Sequence, residues 1–168
     1  TPPLGAPLCY GLVPVASEVV DRLWARGVVL HPAGEKPIVL CAVDWLGIGN
    51  VSRDRWRAAL AKAAGTVPGR VALHTVHQHD APGDDASAYA LLPAGVPMYD
   101  DPFALGAVTR VAAAVRAAKP AGVTQVTAGA AEVSEVASNR RILSADGKVA
   151  FGRMTACRNS PQCAAPIG

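Results

Sequence analysis

Aromatic residues make up only 5% of this chain and charged residues 17%. So few aromatic rings argue against a surface on which nucleic-acid bases stack. The basic residues are scattered through Arg53, Arg55 and Arg57, then Arg110, Arg116 and Lys119, then Arg140 and Arg141. With a formal charge of +3 and no basic block, no nucleic-acid face is expected. There is no run of about eighteen apolar residues, so no membrane-spanning helix is expected. No signal peptide is visible, and because the sequence opens on Thr1 rather than Met that says little about compartment. The cysteines, Cys9, Cys41, Cys157 and Cys163, follow no zinc-finger spacing. Cys41 lies in an apolar run and reads as a small buried hydrophobe. Cys157 and Cys163 share a loop and could pair if the compartment is oxidising.

What is present is apolar: 51% of 168 residues, enough for one core. The whole of 1–168 is read as a single α/β domain or part of one. Thr1 to Pro14 is a proline-rich lead-in, and Glu18 to Arg26 a short helical turn or irregular link. Trp24 to Leu30 and Ile38 to Asp44 read as the two strands of a hairpin across a turn rich in glycine and proline. The second is a continuous apolar run, as in a strand covered on both faces. Ser52 is the expected N-cap of a helix from Arg53 to Ala64, with Trp56 and Leu60 on one face and Gly65 as its stop. Asn50-Val51-Ser52 also matches a glycosylation acceptor, a pattern short enough to arise by chance.

A strand through Arg70 to Leu73 comes next, followed by a long loop from Asp80 to about Asp100. Asp101-Pro102 has the form of an N-cap and first helical residue. The helix should run to about Ala118 with Leu105, Val108, Val111, Ala112 and Val115 as its apolar stripe. Val123 to Ala130 alternates like a strand, which Glu132 to Val136 would extend. Ala145-Asp146-Gly147 signals a hairpin turn between Arg141-Ile142-Leu143 and Lys148-Val149-Ala150. This alternation of elements predicts an α/β fold, a mixed β-sheet packed with helices.

Three of the four histidines fall in Leu73-His74-Thr75-Val76-His77-Gln78-His79-Asp80. If the strand continues through them, His77 and His79 share a face and His74 takes the other. Two neighbouring imidazoles at a strand end suit one metal ion; two hydrogen-bonded or solvated histidines are the plain alternative. A zinc ion there would polarise a carbonyl and acidify water. His79 would be a second ligand or a base beside that water. His74 reads as a core or helix-packing residue and His31 as a surface one. Asp44 would either support a histidine or cap the loop at Gly47 to Asn50. Arg140, beside Asn139 and Arg141, is a surface residue or a group that binds a carbonyl or oxyanion.

These residues carry a resemblance. Val43-Asp44-Trp45-Leu46-Gly47-Ile48, the helix through Arg57 to Leu60, and Leu73 through Gly83 are together similar to the neutral/alkaline, non-lysosomal ceramidases, as are the Thr1-to-Gly11 lead-in and Asn139-Arg140. Val76 and Gln78 stand where that family has threonines, and Asp80-Ala81 where it has Ser-Gly. The resemblance implies the N-terminal portion of a larger catalytic domain. It implies a zinc-dependent hydrolase, an amidase cleaving the N-acyl bond of ceramide or a related lipid. His77 would be a zinc ligand, His79 would lie beside the zinc-activated water, and Arg140 would contact substrate or water. The remaining ligands, a histidine, a glutamate and a tyrosine, would come from the rest of the catalytic domain downstream. A secreted or periplasmic location would follow.

Two other readings stand beside it. One is a different His-X-His metallohydrolase: the segment is similar to the His-X-His-X-Asp-His element of metallo-β-lactamases, with Asp80 one position early and the last histidine missing. The other is a non-catalytic binding or assembly module on the same scaffold.

Overall fold

A computed structural model describes residues 1–96, 98, 100–133, 142–143 and 146–151. Contacts divide the chain into two compact units, Thr1–Pro120 and Ala121–Gly168.

In the first unit, β1 (Ala25–Leu30) and β2 (Ile38–Val43) form the expected antiparallel hairpin, in register from Ala25 opposite Val43 to Leu30 opposite Ile38. Two-residue β3 (Gly47–Ile48) leads into α1 (Asn50–Ala64), which carries the chain to β4 (Val71–Thr75). Because a helix intervenes, β4 can return parallel to β2, pairing Val39 with Val71 through Val43 with Thr75. The sheet, ordered β1-β2-β4, is therefore mixed, and packed with helices it makes an α/β fold.

The region expected to be one long loop holds two further elements. β5 (Gly83–Asp84) pairs parallel with β3, and α2 (Ala86–Tyr89) starts at an Asp85 cap whose carboxylate accepts from Ala88 N–H at 3.0 Å. Last comes α3 (Asp101–Ala117). Its cap is Asp100, one residue earlier than expected, whose Oδ1 accepts from Phe103 N–H at 2.9 Å. Asp101 instead meets Arg55 of α1 at 3.1 Å.

Helix α1 also departs from expectation at its start. Gly49 is the N-cap and the helix begins at Asn50. Ser52 lies inside the first turn, fully buried, and its Oγ accepts from Ala86 N–H at 3.0 Å. The hydroxyl is used to dock α2, which overrides its local capping preference. Asn50, in the glycosylation-like triplet, is exposed and donates through Nδ2 to Asp85 at 2.6 Å. At the other end Gly65 is the C-cap with φ of 68°, and its N–H returns to the last helical carbonyls.

Both long helices pack on one face of the sheet. Val39, Cys41 and Val43 of β2 and Val71 of β4 meet Trp56, Leu60 and Ala61 of α1 and Ala104, Ala107 and Val108 of α3 in one cluster. Strand β2 is therefore covered on one face, not two. Leu40 is 41% exposed, and Val28 and Leu30 beside it are 54% and 44% exposed. The stripe of α3 is narrower than its apolar pattern. Ala104, Ala107, Val108 and Ala112 are buried, Val111 and Val115 half-buried, and Leu105 is exposed. Small residues lie where the helix meets the core, so leucine at 105 falls outside the contact.

In the second unit, β6 (Ile142–Leu143) and β7 (Val149–Phe151) form the expected hairpin. Its turn has Gly147 at φ of 76° and Lys148 N–H on Asp146 Oδ1 at 3.2 Å. The strand expected over Val123 to Ala130 does not form. Val123 and Val126 are 72% and 87% exposed and no ladder joins them. Alternation gives a segment the capacity to be a strand, but only a paired neighbour makes it one. Beyond Val133 the expected extension of that strand lies outside the described residues, as do Cys157 and Cys163. Among the described residues no helix is long and apolar enough to cross a membrane.

Two outcomes follow from the core. Truncating Trp56→Ala should cost about 3–5 kcal/mol in urea unfolding, the range for a buried large aromatic; a loss below about 1 kcal/mol would contradict the burial described. Burial also holds the Cys41 thiol above its usual range. The folded state favours the neutral thiol, so this contribution is full below the unfolded thiol pKa and is lost as pH rises past about 8.5. Unfolding midpoints between about pH 7 and about pH 9.5 should fall more steeply for the native chain than for Cys41→Ala.

Candidate metal centre

Strand β4 ends at Thr75, and its last link to the sheet is Val76 N–H on the Val43 carbonyl at 3.2 Å. The expected continuation of the strand through both histidines does not occur. His77 takes φ of 61°, a left-handed conformation uncommon for a residue with a side chain. Its N–H is held by the Trp45 carbonyl at 3.2 Å. The turn still brings the two rings together, with His77 and His79 centroids 5.2 Å apart and nearly perpendicular at 84°. Their proximity thus comes from a turn and not from strand parity. Both residues are exposed.

The two imidazoles are not equivalent. His77 Nδ1 lies 2.9 Å from the Leu46 carbonyl oxygen. A carbonyl only accepts, so Nδ1 carries the proton and the lone pair of the neutral ring sits on Nε2. That carbonyl also accepts from Thr75 Oγ1 at 3.4 Å. Leu46 itself is buried, and its N–H donates to the Pro82 carbonyl at 3.1 Å. An imidazole whose Nδ1–H is fixed by a carbonyl and whose Nε2 is left available has the arrangement usual for a histidine that holds a metal.

The remaining expected residues fall elsewhere. His74 is exposed on the sheet face opposite the helices, because Val71, Leu73 and Thr75 take the packed face. It is neither a core nor a helix-packing residue. His31 is exposed, as expected. Asp44 neither supports a histidine nor caps the loop after β3. It accepts from Trp24 N–H at 2.9 Å and lies 3.7 Å from Arg26, closing the open end of the β1–β2 hairpin. Arg140 lies outside the described residues.

Sequence reading missed the groups that hold the turn from behind. Asp84 is fully buried, and its Oδ2 accepts from Trp56 Nε1 at 2.8 Å. The Tyr10 ring lies across Gly83 in the space a Cβ would take, so this position must be glycine for the ring to stay. Burial, then the carboxylates of Asp85 and Asp84, raise the Tyr10 phenol above its ordinary range. The only trace of this in the sequence is the pair of acidic residues directly after Pro82-Gly83.

A cleft of about 460 Å³ opens beside the turn. Leu8, Val13, Val19 and Leu23 give it apolar walls, and Gln78 and Asp80, which flank His79, reach its rim. His77 and His79 are not among its lining residues.

The two histidines supply imidazole nitrogens, donors of the kind zinc takes. Among the described residues no third histidine, cysteine, aspartate or glutamate completes a set. Comparisons with family models, with curated proteins and with solved structures find no match to this chain.

The left-handed backbone at His77 has a direct check. A Cβ costs roughly 1–2 kcal/mol in that conformation, and glycine avoids the cost. His77→Gly should therefore unfold at higher denaturant than His77→Ala, by about 1 kcal/mol of stability after the greater flexibility of unfolded glycine is offset. Equal or reversed stabilities would mean that residue 77 does not hold this backbone conformation.

Proposed function

We propose that this chain is the N-terminal part of a zinc-dependent hydrolase of neutral ceramidase type, which cleaves the N-acyl amide of ceramide or a related lipid. One observation carries the reading: the Leu46 carbonyl fixes the Nδ1–H of His77, which leaves the Nε2 lone pair free, in a ring whose centroid is 5.2 Å from that of His79. His77 would hold zinc through Nε2. When bound, zinc supplies Lewis-acid polarisation of the scissile carbonyl and lowers the pKa of water toward neutrality. His79, one residue from the rim of the cleft, would accept or return a proton beside the reacting carbonyl. Arg140 would bind the carbonyl oxygen as negative charge develops on it. The apolar walls formed by Leu8, Val13, Val19 and Leu23 suit the hydrocarbon part of such a substrate.

The test uses the full-length protein. Zinc should co-purify with it, and the loaded protein should release fatty acid from an N-acyl sphingoid lipid. His77→Ala should lose the metal and the activity together, while His74→Ala, on the opposite sheet face, should retain both. Zinc held as tightly by His77→Ala as by the native chain would overturn the assignment. Zinc bound without hydrolysis of any N-acyl lipid would leave a binding module on the same scaffold as the better reading.

A further inference from the structure

The Asp84 carboxylate is fully buried, and the proposed chemistry does not use it. Its Oδ2 accepts from Trp56 Nε1 at 2.8 Å. Trp56 is itself buried completely and forms a T-shaped pair with Trp45, with centroids 5.5 Å apart and planes at 83°. Trp45 supplies the carbonyl that holds His77 N–H, and its neighbour Leu46 supplies the carbonyl that holds His77 Nδ1. The second route runs through the backbone. Gly49 N–H donates to the Asp84 carbonyl at 2.9 Å and Leu46 N–H to the Pro82 carbonyl at 3.1 Å. Between them, Gly47 pairs with Gly83 and Ile48 with Asp84.

A strand pair only two residues long is marginal alone, and the Asp84 side chain ties it to α1 through the Trp56 indole. The segment from Trp45 to Ile48 therefore has its position set twice by the Trp56 indole, through ring contact and through Asp84. Both carbonyls that orient His77 belong to that segment.

We propose that Asp84 is a positioning residue for His77: by binding the Trp56 indole it locks β5 to β3, fixes the Leu46 carbonyl, and so holds the imidazole with its proton on Nδ1 and Nε2 outward. The consequence for metal binding rests on the zinc-hydrolase reading, whereas the consequence for the ring does not. A buried carboxylate that served stability alone would lower the melting temperature of its variants without changing which nitrogen of His77 carries the proton.

The experiment reads that proton directly. Nitrogen-15 spectra of the histidine rings would be recorded on zinc-free full-length protein at about pH 8, where free imidazole is neutral. The native chain should show His77 with its proton on Nδ1. Trp56→Phe keeps an aromatic ring in the core and removes the donor together with part of the ring volume, so its effect is read beside Asp84→Ala, which leaves the indole in place. Asp84→Ala removes the acceptor, and Asp84→Asn keeps one. In Trp56→Phe and Asp84→Ala the His77 signal should move toward a mixture of the two tautomers, and zinc affinity should fall about ten- to a hundredfold, the range for loss of a group that orients a ligand. Asp84→Asn should restore the native signal. If Asp84→Ala does not fold, Trp56→Phe, checked by circular dichroism, decides alone. An unchanged Nδ1–H signature in folded Trp56→Phe would overturn the proposal, as would a native chain with its proton on Nε2. A tautomer that follows the variants in a protein that never binds zinc would uphold the positioning role and remove the hydrolase reading.

Discussion

The Trp56 indole satisfies two demands that a buried tryptophan always makes: its large apolar surface must be covered and its N–H must find an acceptor. In this chain each demand is met by a different part of the site. Trp45 and the β2 side chains cover the ring, and Asp84 accepts the hydrogen bond from its N–H at 2.8 Å. An uncompensated carboxylate at zero exposure would be costly, and an unpaired indole N–H would cost about 1–3 kcal/mol. The bond between them compensates part of the carboxylate's burial and satisfies the indole N–H. The helix, the link after β2 and the loop after the histidines are joined at that point, and their relative placement decides where the His77 ring points.

The histidine turn is held against local preference. A left-handed residue with a side chain costs on the order of 1–2 kcal/mol, and hydrogen bonds from Val76 N–H to the Val43 carbonyl and from His77 to the Trp45 and Leu46 carbonyls offset that cost. Val43 ends β2, and Trp45 and Leu46 lie in the link that follows it. Cys9 and Tyr10, at φ of 47° and 54°, and Asn50, at 45°, share the same backbone region. Tyr10 lies over Gly83 and Asn50 binds Asp85, so both support the loop that follows the histidines. Backbone strain in this unit gathers around one loop cluster, which is where strained residues are retained when the surrounding structure holds them.

Long elements with strong periodicity were legible. The β1–β2 hairpin, α1 with its Gly65 stop and α3 all follow from apolar spacing and from glycine and proline placement. Errors came where two readings of one residue type competed. Ser52 has the chemistry of a cap, yet its hydroxyl docks α2. Asp101 was expected to cap α3, but Asp100 does so and Asp101 faces Arg55. Val123 to Ala130 has strand composition without a strand beside it. The apolar run of β2 suggested cover on both faces, and the helices cover one. In each case the deciding partner is remote in sequence, and local pattern carries no information about it.

For the site, the sequence by itself determined that two imidazoles lie one residue apart just after a strand, next to a Pro-Gly turn and two carboxylates. Short range in the chain guarantees that such rings can meet, whatever the fold. Only the tertiary structure decided how they meet, because strand parity and a left-handed turn both bring them close and the sequence does not choose between them. It also decided which ring nitrogen holds its proton, since that depends on the Leu46 carbonyl, 31 positions away in sequence. The identity of a side chain is local, but the hydrogen bonds that orient it are made by whichever backbone the fold brings alongside.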